Sequence, residues 1–270
     1  MTPGPTAARR AGRNRVPWPI VPLAAAAVLF VTVPFLALLQ RAPWTGLGSL
    51  LSQPIVVEAL RLSVTTALAA TGVSLLIGVP LAWILARATF PGRSALRALV
   101  TLPMVLPPVV GGAALLFAFG RRGLLGGPVY DNTGFLLPFS TWGVVVANTF
   151  VAMPFLVLTV EAGLRSADPR YEDAAATLGA SRWTIFRRVT VPNATPSIVA
   201  GAVLCWARAL GEFGATVTFA GNLQGRTQTM PLAVFLALES DRAAAIALSL
   251  VLIVVSLAVL LPMRDRWFTA

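Results

Sequence analysis

Arg208 and Glu212 stand four residues apart in an apolar run, a spacing that puts both side chains on one face of a helix. An ionisable pair inside a membrane-like segment is a functional candidate by default, and the plainer reading is an internal ion pair that stabilises a helix end or a dimer seam. The plainer reading is favoured here, because a strong fixed charge would trap any solute of opposite charge, whereas conduction needs binding weak enough for release. Other chemistry is scarce. The chain has no His, which removes the commonest general base and metal ligand, and its single Cys205 allows no internal disulfide. Every basic residue is Arg. Without Lys an ordinary nucleotide-binding P-loop cannot be built, so any ATP chemistry must belong to a partner. A membrane-embedded enzyme would have no Ser paired to a plausible base and no metal-ligand cluster to work with. A proton-coupled secondary transporter would carry titratable groups deep in its spans, and only Arg208 and Glu212 come near that description.

The elements that must position these residues are membrane helices. Of the chain, 57% is hydrophobic and 11% charged, and the mean hydropathy is +0.80, values foreign to a soluble domain. Six stretches reach the ~20 residues that a helix needs to cross a bilayer. They are placed near Trp18–Leu39, Leu62–Ala86, Leu96–Phe119, Phe139–Val160, Ile198–Phe219 and Ala243–Met263. The first follows a basic arm, residues 1–16, and is read as a retained helix, since it is too long for a signal peptide and lacks a cleavage pattern. With the N-terminus inside, one side collects that arm, then Arg87, Arg93 and Arg97, then Arg165, Arg170, Arg182, Arg187 and Arg188, then Arg264 and Arg266. The other side holds only Arg41, Arg61, Arg121, Arg122, Arg226 and Arg242, so both termini are expected to be cytoplasmic. The net charge of +11 then reflects this asymmetry and affinity for anionic lipid, and nucleic acid is not an expected partner.

Within the spans two features stand out. Thr66, Ala70, Ser74 and Gly78 recur every four residues, a small-residue stripe along which another helix can pack closely. In "LPMVLPPVVGG", Leu102 to Gly112, three Pro each remove a backbone donor and two Gly are expected to loosen the helix further. Carbonyls freed at that depth must be buried in protein or line a wet cavity, and cavity lining is the expectation.

The polar segment 168–192 lies between spans four and five. Asp168 can cap a helix with Pro169 in its first turn, Glu172 and Asp173 suit the positive end, and Gly179 can close it in a left-handed conformation. Ser181 can cap a second helix, Arg182 to Thr190, expected to stop before Pro192. That second helix, with Trp183, Ile185 and Phe186 beside three arginines, would also suit a bilayer surface. The first is acidic and Ala-rich, a low-profile surface better suited to a groove on another protein.

This segment resembles the cytoplasmic signature of ABC-importer permeases. The matching positions are Asp173, Ala174, Ala175 and Gly179, followed by Val189, Val191 and Pro192, with Asp where Glu is usual; Glu172 stands beside it, and the resemblance allows either acid the docking role. The resemblance implies a type I ABC-importer permease fold, all-α with six transmembrane helices, in a multi-pass protein of the bacterial inner membrane. It also implies a homodimer, a helix-turn-helix that docks in a cleft of an ATP-binding subunit, and ATP and Mg held by that subunit with no cofactor in this chain. A second stretch, Ala207 to Ser240, resembles molybdate permeases of the ABC class through Gly211, Glu212, Phe213, Gly214 and Ala215 and through Thr227, Thr229 and Pro231. That resemblance implies molybdate or tungstate as cargo, delivered by an extracytoplasmic binding protein. Sulfate is the alternative cargo, since sulfate permeases share much of the first part. Asn148, Thr149, Arg208, Glu212 and Asn222 are the polar candidates for the translocation path.

Overall fold

The structure is a computed structural model that describes residues 17–261. The basic arm at 1–16, Arg264, Arg266 and the end of the sixth expected span lie outside the described residues. In chain order the helices are α1 (Ile20–Gln40), α2 (Leu47–Leu51), α3 (Pro54–Arg87), α4 (Arg93–Val105), α5 (Pro108–Phe119), α6 (Gly126–Thr133), α7 (Thr141–Ser166), α8 (Arg170–Thr177) and α9 (Arg182–Ile185). A π turn, Phe186–Thr190, leads into α10 (Val191–Leu210), and α11 (Gly214–Phe219), α12 (Met230–Ser240) and α13 (Arg242–Leu260) complete the chain. There is no strand among the described residues.

Five of these helical stretches are long and apolar enough to cross a membrane, and α4 with α5 makes a sixth if the bent pair counts as one span. The bend is 117°. It falls where Leu106 and Pro107 leave helical geometry for extended backbone, and Pro108 opens α5 at a position that has no use for its missing N–H. Gly111 and Gly112 do not loosen α5 as expected; both are buried in regular helix. A Cβ on Gly112 would lie 2.8 Å from the Ala215 carbonyl oxygen and 2.7 Å from Thr218 Cβ, so this glycine lets α5 and α11 touch backbone to backbone.

The core is a three-helix seam of α3, α7 and α10. Ala67, Ala70, Ala82 and Leu85 of α3 meet Ala152, Leu156, Val157 and Val160 of α7, with Cys205, Ala209 and Leu210 of α10 closing the cluster. All four stripe residues, Thr66, Ala70, Ser74 and Gly78, are buried. A Cβ on Gly78 would sit 3.0 Å from Leu156, the close approach that the stripe serves. By contrast α1 buries none of its residues within the chain, as suits a helix whose apolar side chains face lipid.

Two boundaries differ from expectation. The fifth span does not run through to Phe219: α10 ends at Leu210, the chain breaks at residues 211–213, and α11 is a separate short helix. Nor does Pro192 stop a helix. The Val191 N–H donates to the Phe186 carbonyl five residues back, and this wider turn carries the chain into α10, where Pro192 sits in the first turn without breaking a bond.

Candidate functional site

The segment after α7 is a helix, a turn and a second helix, each end closed by a named group. Asp168 Oδ1 accepts from the Arg170 N–H at 2.9 Å. Helix α8 ends with the Gly179 N–H bonded to the Ala176 carbonyl and the Ala180 N–H to the Ala175 carbonyl, the paired bonds of a Schellman cap. That cap requires the left-handed backbone, and Gly179 has φ +82°. Ser181 Oγ then accepts from the Thr184 N–H at 3.2 Å and starts α9.

The two neighbouring acids face different ways. Glu172 is turned inward: it pairs with Arg87 of α3 at 3.2 Å and accepts from the Thr190 hydroxyl at 3.1 Å. Asp173 is exposed. Around it the outer surface of the turn carries Ala174, exposed Tyr171 and Leu178, the last 87% exposed, while Ala175 is half-buried.

Beneath the turn, aromatic and ionic contacts tie it to the ends of the long helices. Phe186 stacks on Trp183 and meets Trp83 of α3 edge-on, with centroids 5.7 Å and 5.6 Å away. Glu161 of α7 is 96% buried and holds two guanidiniums, Arg97 of α4 and Arg165 of its own helix, the latter at 2.9 Å. Arg165 also donates to the Leu85 carbonyl, and Arg93 to the Ala86 carbonyl, each at 3.5 Å. Sequence reasoning used Arg87, Arg93, Arg97 and Arg165 only to assign sidedness, and passed over Glu161 and Thr190. The Glu161 and Arg165 spacing of four at a span end was the available signal, the mirror of Arg208 and Glu212.

At the far end of the same seam, Arg208 and Glu212 close on each other at 2.6 Å. Glu212 is almost fully buried, and its second oxygen accepts from the Ala215 N–H at 2.8 Å, so one carboxylate joins the end of α10 to the start of α11. The geometry is that of an internal ion pair at a helix break. Asn148, also buried, accepts from the Thr216 hydroxyl at 3.4 Å and so reaches the adjoining residue of α11. Thr149 instead bonds back to the Val145 carbonyl, and Asn222 lies half-buried just beyond α11. The structure thus gathers Asn148, Arg208 and Glu212 about α11 and leaves Thr149 and Asn222 apart from them. Thr227 holds the following loop closed by accepting from the Leu223 N–H, and Thr141 of α7 donates to the Arg226 carbonyl. An apolar groove of about 400 Å³, lined by Gly211, Phe213, Pro231, Phe235 and Leu252 among others, runs beside the α10 break.

Comparison with known proteins follows this geometry. Residues 78–268 match the family described as binding-protein-dependent transport system inner membrane component. The chain is 48% identical to the molybdenum transport system permease protein ModB of Mycobacterium tuberculosis, over 92% of this chain and 94% of that protein. It is 40% identical to the Escherichia coli protein of the same name, over 78% and 92%. The sulfate transport system permease protein CysT of Escherichia coli is 38% identical over 86% and 85%. Among solved structures, a bacterial ABC transporter involved in the import of the acidic polysaccharide alginate aligns with a TM-score of 0.69 at 18% identity, covering 94% of this chain and 96% of that one.

Proposed function

Since this chain belongs to the binding-protein-dependent transport system inner membrane components, we propose that it is the membrane-spanning subunit of an ATP-driven importer of molybdate, and of tungstate as its chemical twin. The observation that carries the cargo is the 48% identity to a molybdenum permease across 92% of the chain. Sulfate fits less well, at 38% over 86%.

In this reading the subunit holds no ATP. Two copies of the chain form the pathway between them, a binding protein delivers the oxyanion outside, and two ATP-binding subunits carrying ATP and Mg dock inside on the 168–192 segment. Both termini lie in the cytoplasm, as the arginine distribution favours. Asp173, Ala174, Ala175 and Gly179 meet the ATP-binding subunit, with Leu178 as the apolar knob between them. Glu172, paired with Arg87, serves the fixed end of the lever. Asn148, Arg208 and Glu212 stand around α11 near the outer end of the path, with Thr149 and Asn222 as further candidates along it. Closure of the ATP-binding subunits favours one packing of the spans, and hydrolysis returns the other.

Cross-linking tests the docking. Leu178→Cys, in a background with Cys205→Ala, should join covalently to single cysteines placed around the cleft of the cognate ATP-binding subunit. A cysteine at Leu124, which is also exposed but lies between α5 and α6, should not. Equal labelling from both positions, or none from Leu178→Cys in a complex that still hydrolyses ATP, would remove this assignment.

A further inference from the structure

The corner where α3 ends gathers more positive charge than the chain neutralises there. Arg87 pairs with Glu172, Arg97 and Arg165 share Glu161, and Arg93 reaches only the Ala86 carbonyl. The contacts are contiguous, because Arg165 and Arg93 reach the carbonyls of Leu85 and Ala86 while Arg87 itself pairs with Glu172. Four guanidiniums against two carboxylates leave a local excess of two positive charges around three consecutive residues.

Hydrogen bonding points to the same place independently. Trp83 Nε1, Arg87 Nε and Arg93 Nε are all buried without an acceptor among the described residues. Each is a donor only, so its acceptor must come from outside the described residues. Trp83 and Arg87 lie one helical turn apart on the same face of α3, and the Arg93 bond to Ala86 brings its guanidinium to that end. A buried N–H without an acceptor is costly, and proteins rarely leave several together. The fourth such N–H, on Trp206, belongs to α10.

We propose that Trp83, Arg87 and Arg93 form a binding site for a phosphate-class oxyanion, whose oxygens accept from these three N–H groups and whose charge balances the arginine excess. Arg provides the planar, weakly hydrated donor that suits such a group, and Trp with Arg at a span end is the pairing found at the lipid headgroup level. The same chemistry is offered by an anionic lipid headgroup and by free inorganic phosphate. The site is independent of the cargo assignment, since none of its residues is a path candidate.

The test uses the purified full-length chain, stripped of lipid in detergent. Phosphatidylglycerol binding is followed by native mass spectrometry, with phosphatidylcholine as the neutral control, and radiolabelled inorganic phosphate binding by equilibrium dialysis. Wild type should bind at least one anionic probe saturably. Arg93→Gln should weaken that binding by about tenfold, the size of one lost charged hydrogen bond, and Trp83→Phe, which removes the N–H together with part of the indole ring, by roughly threefold. Arg122→Gln, at an exposed position after α5, should leave it unchanged. Binding of phosphatidylglycerol without phosphate identifies a headgroup site, and competition by phosphate identifies a free-anion site. Either upholds the proposal. No saturable binding of either anionic probe, or equal affinities for wild type and Trp83→Phe together with Arg93→Gln, would overturn it. Trp83→Phe keeps the test decisive if Arg93→Gln does not fold.

Discussion

Gly179→Val is expected to abolish most ATP-driven uptake while leaving the chain folded. At φ +82° the residue sits in backbone space that a β-branched side chain enters only at a cost of about 1–2 kcal/mol. Nothing lies within 4 Å of a Cβ built there, so the penalty is conformational and does not come from a clash with the core. The chain can escape it only by undoing the Schellman cap, which moves α8 relative to α9 and swings Asp173 and Leu178 out of register. A penalty of this size shifts the population of the docking turn by about 5- to 30-fold. Uptake in proteoliposomes should fall by a similar factor, with the thermal midpoint in detergent nearly unchanged. Gly179→Asn, which tolerates the left-handed region, should retain most activity. Full uptake with Gly179→Val would show that the turn transmits nothing.

Glu161→Ala should produce the largest loss of stability. It leaves Arg97 and Arg165 facing each other with no carboxylate between them. Removing one partner of a fully buried pair costs roughly 3–5 kcal/mol, and the partial exposure of both arginines lowers the expectation to about 2–3 kcal/mol. For a chain of this size that is a fall of roughly 4–10 °C in thermal midpoint, compared at one scan rate because membrane proteins rarely unfold reversibly. Arg97→Leu added to Glu161→Ala should recover part of the loss, since it removes a stranded charge. Additive losses in the double variant would mean that Glu161 and Arg97 are not coupled.

What could be read before the fold, and what could not, divides along sequence distance. Local signals carried well: apolar length located the spans, the stripe from Thr66 to Gly78 marked the face of α3 on which another helix packs, and Gly179 and Ser181 located the turn between α8 and α9. Each rests on a physical rule that acts within a few residues. Pro103, Pro107 and Pro108 announced a disturbance in the third span, yet its size and direction come from the packing of α5 on α11, which Gly112 permits. Pro192 misled because its effect depends on the turn before it, and the π turn at Phe186–Thr190 lets the helix pass. The ion pair that anchors the 168–192 segment, Arg87 with Glu172, joins residues 85 positions apart, and that of Arg97 with Glu161 beside it joins residues 64 apart, both beyond any spacing rule. Glu172 and Asp173 are chemically alike and adjacent, and only the position of Arg87 in space sets one inward.

The central claim is tested most directly by reconstituting the chain with its cognate ATP-binding subunit and binding protein and measuring uptake of molybdate, tungstate and sulfate in competition. The account predicts saturable uptake that requires ATP hydrolysis and favours molybdate and tungstate over sulfate. Preference for sulfate would contradict the cargo, and uptake indifferent to ATP would contradict the importer itself.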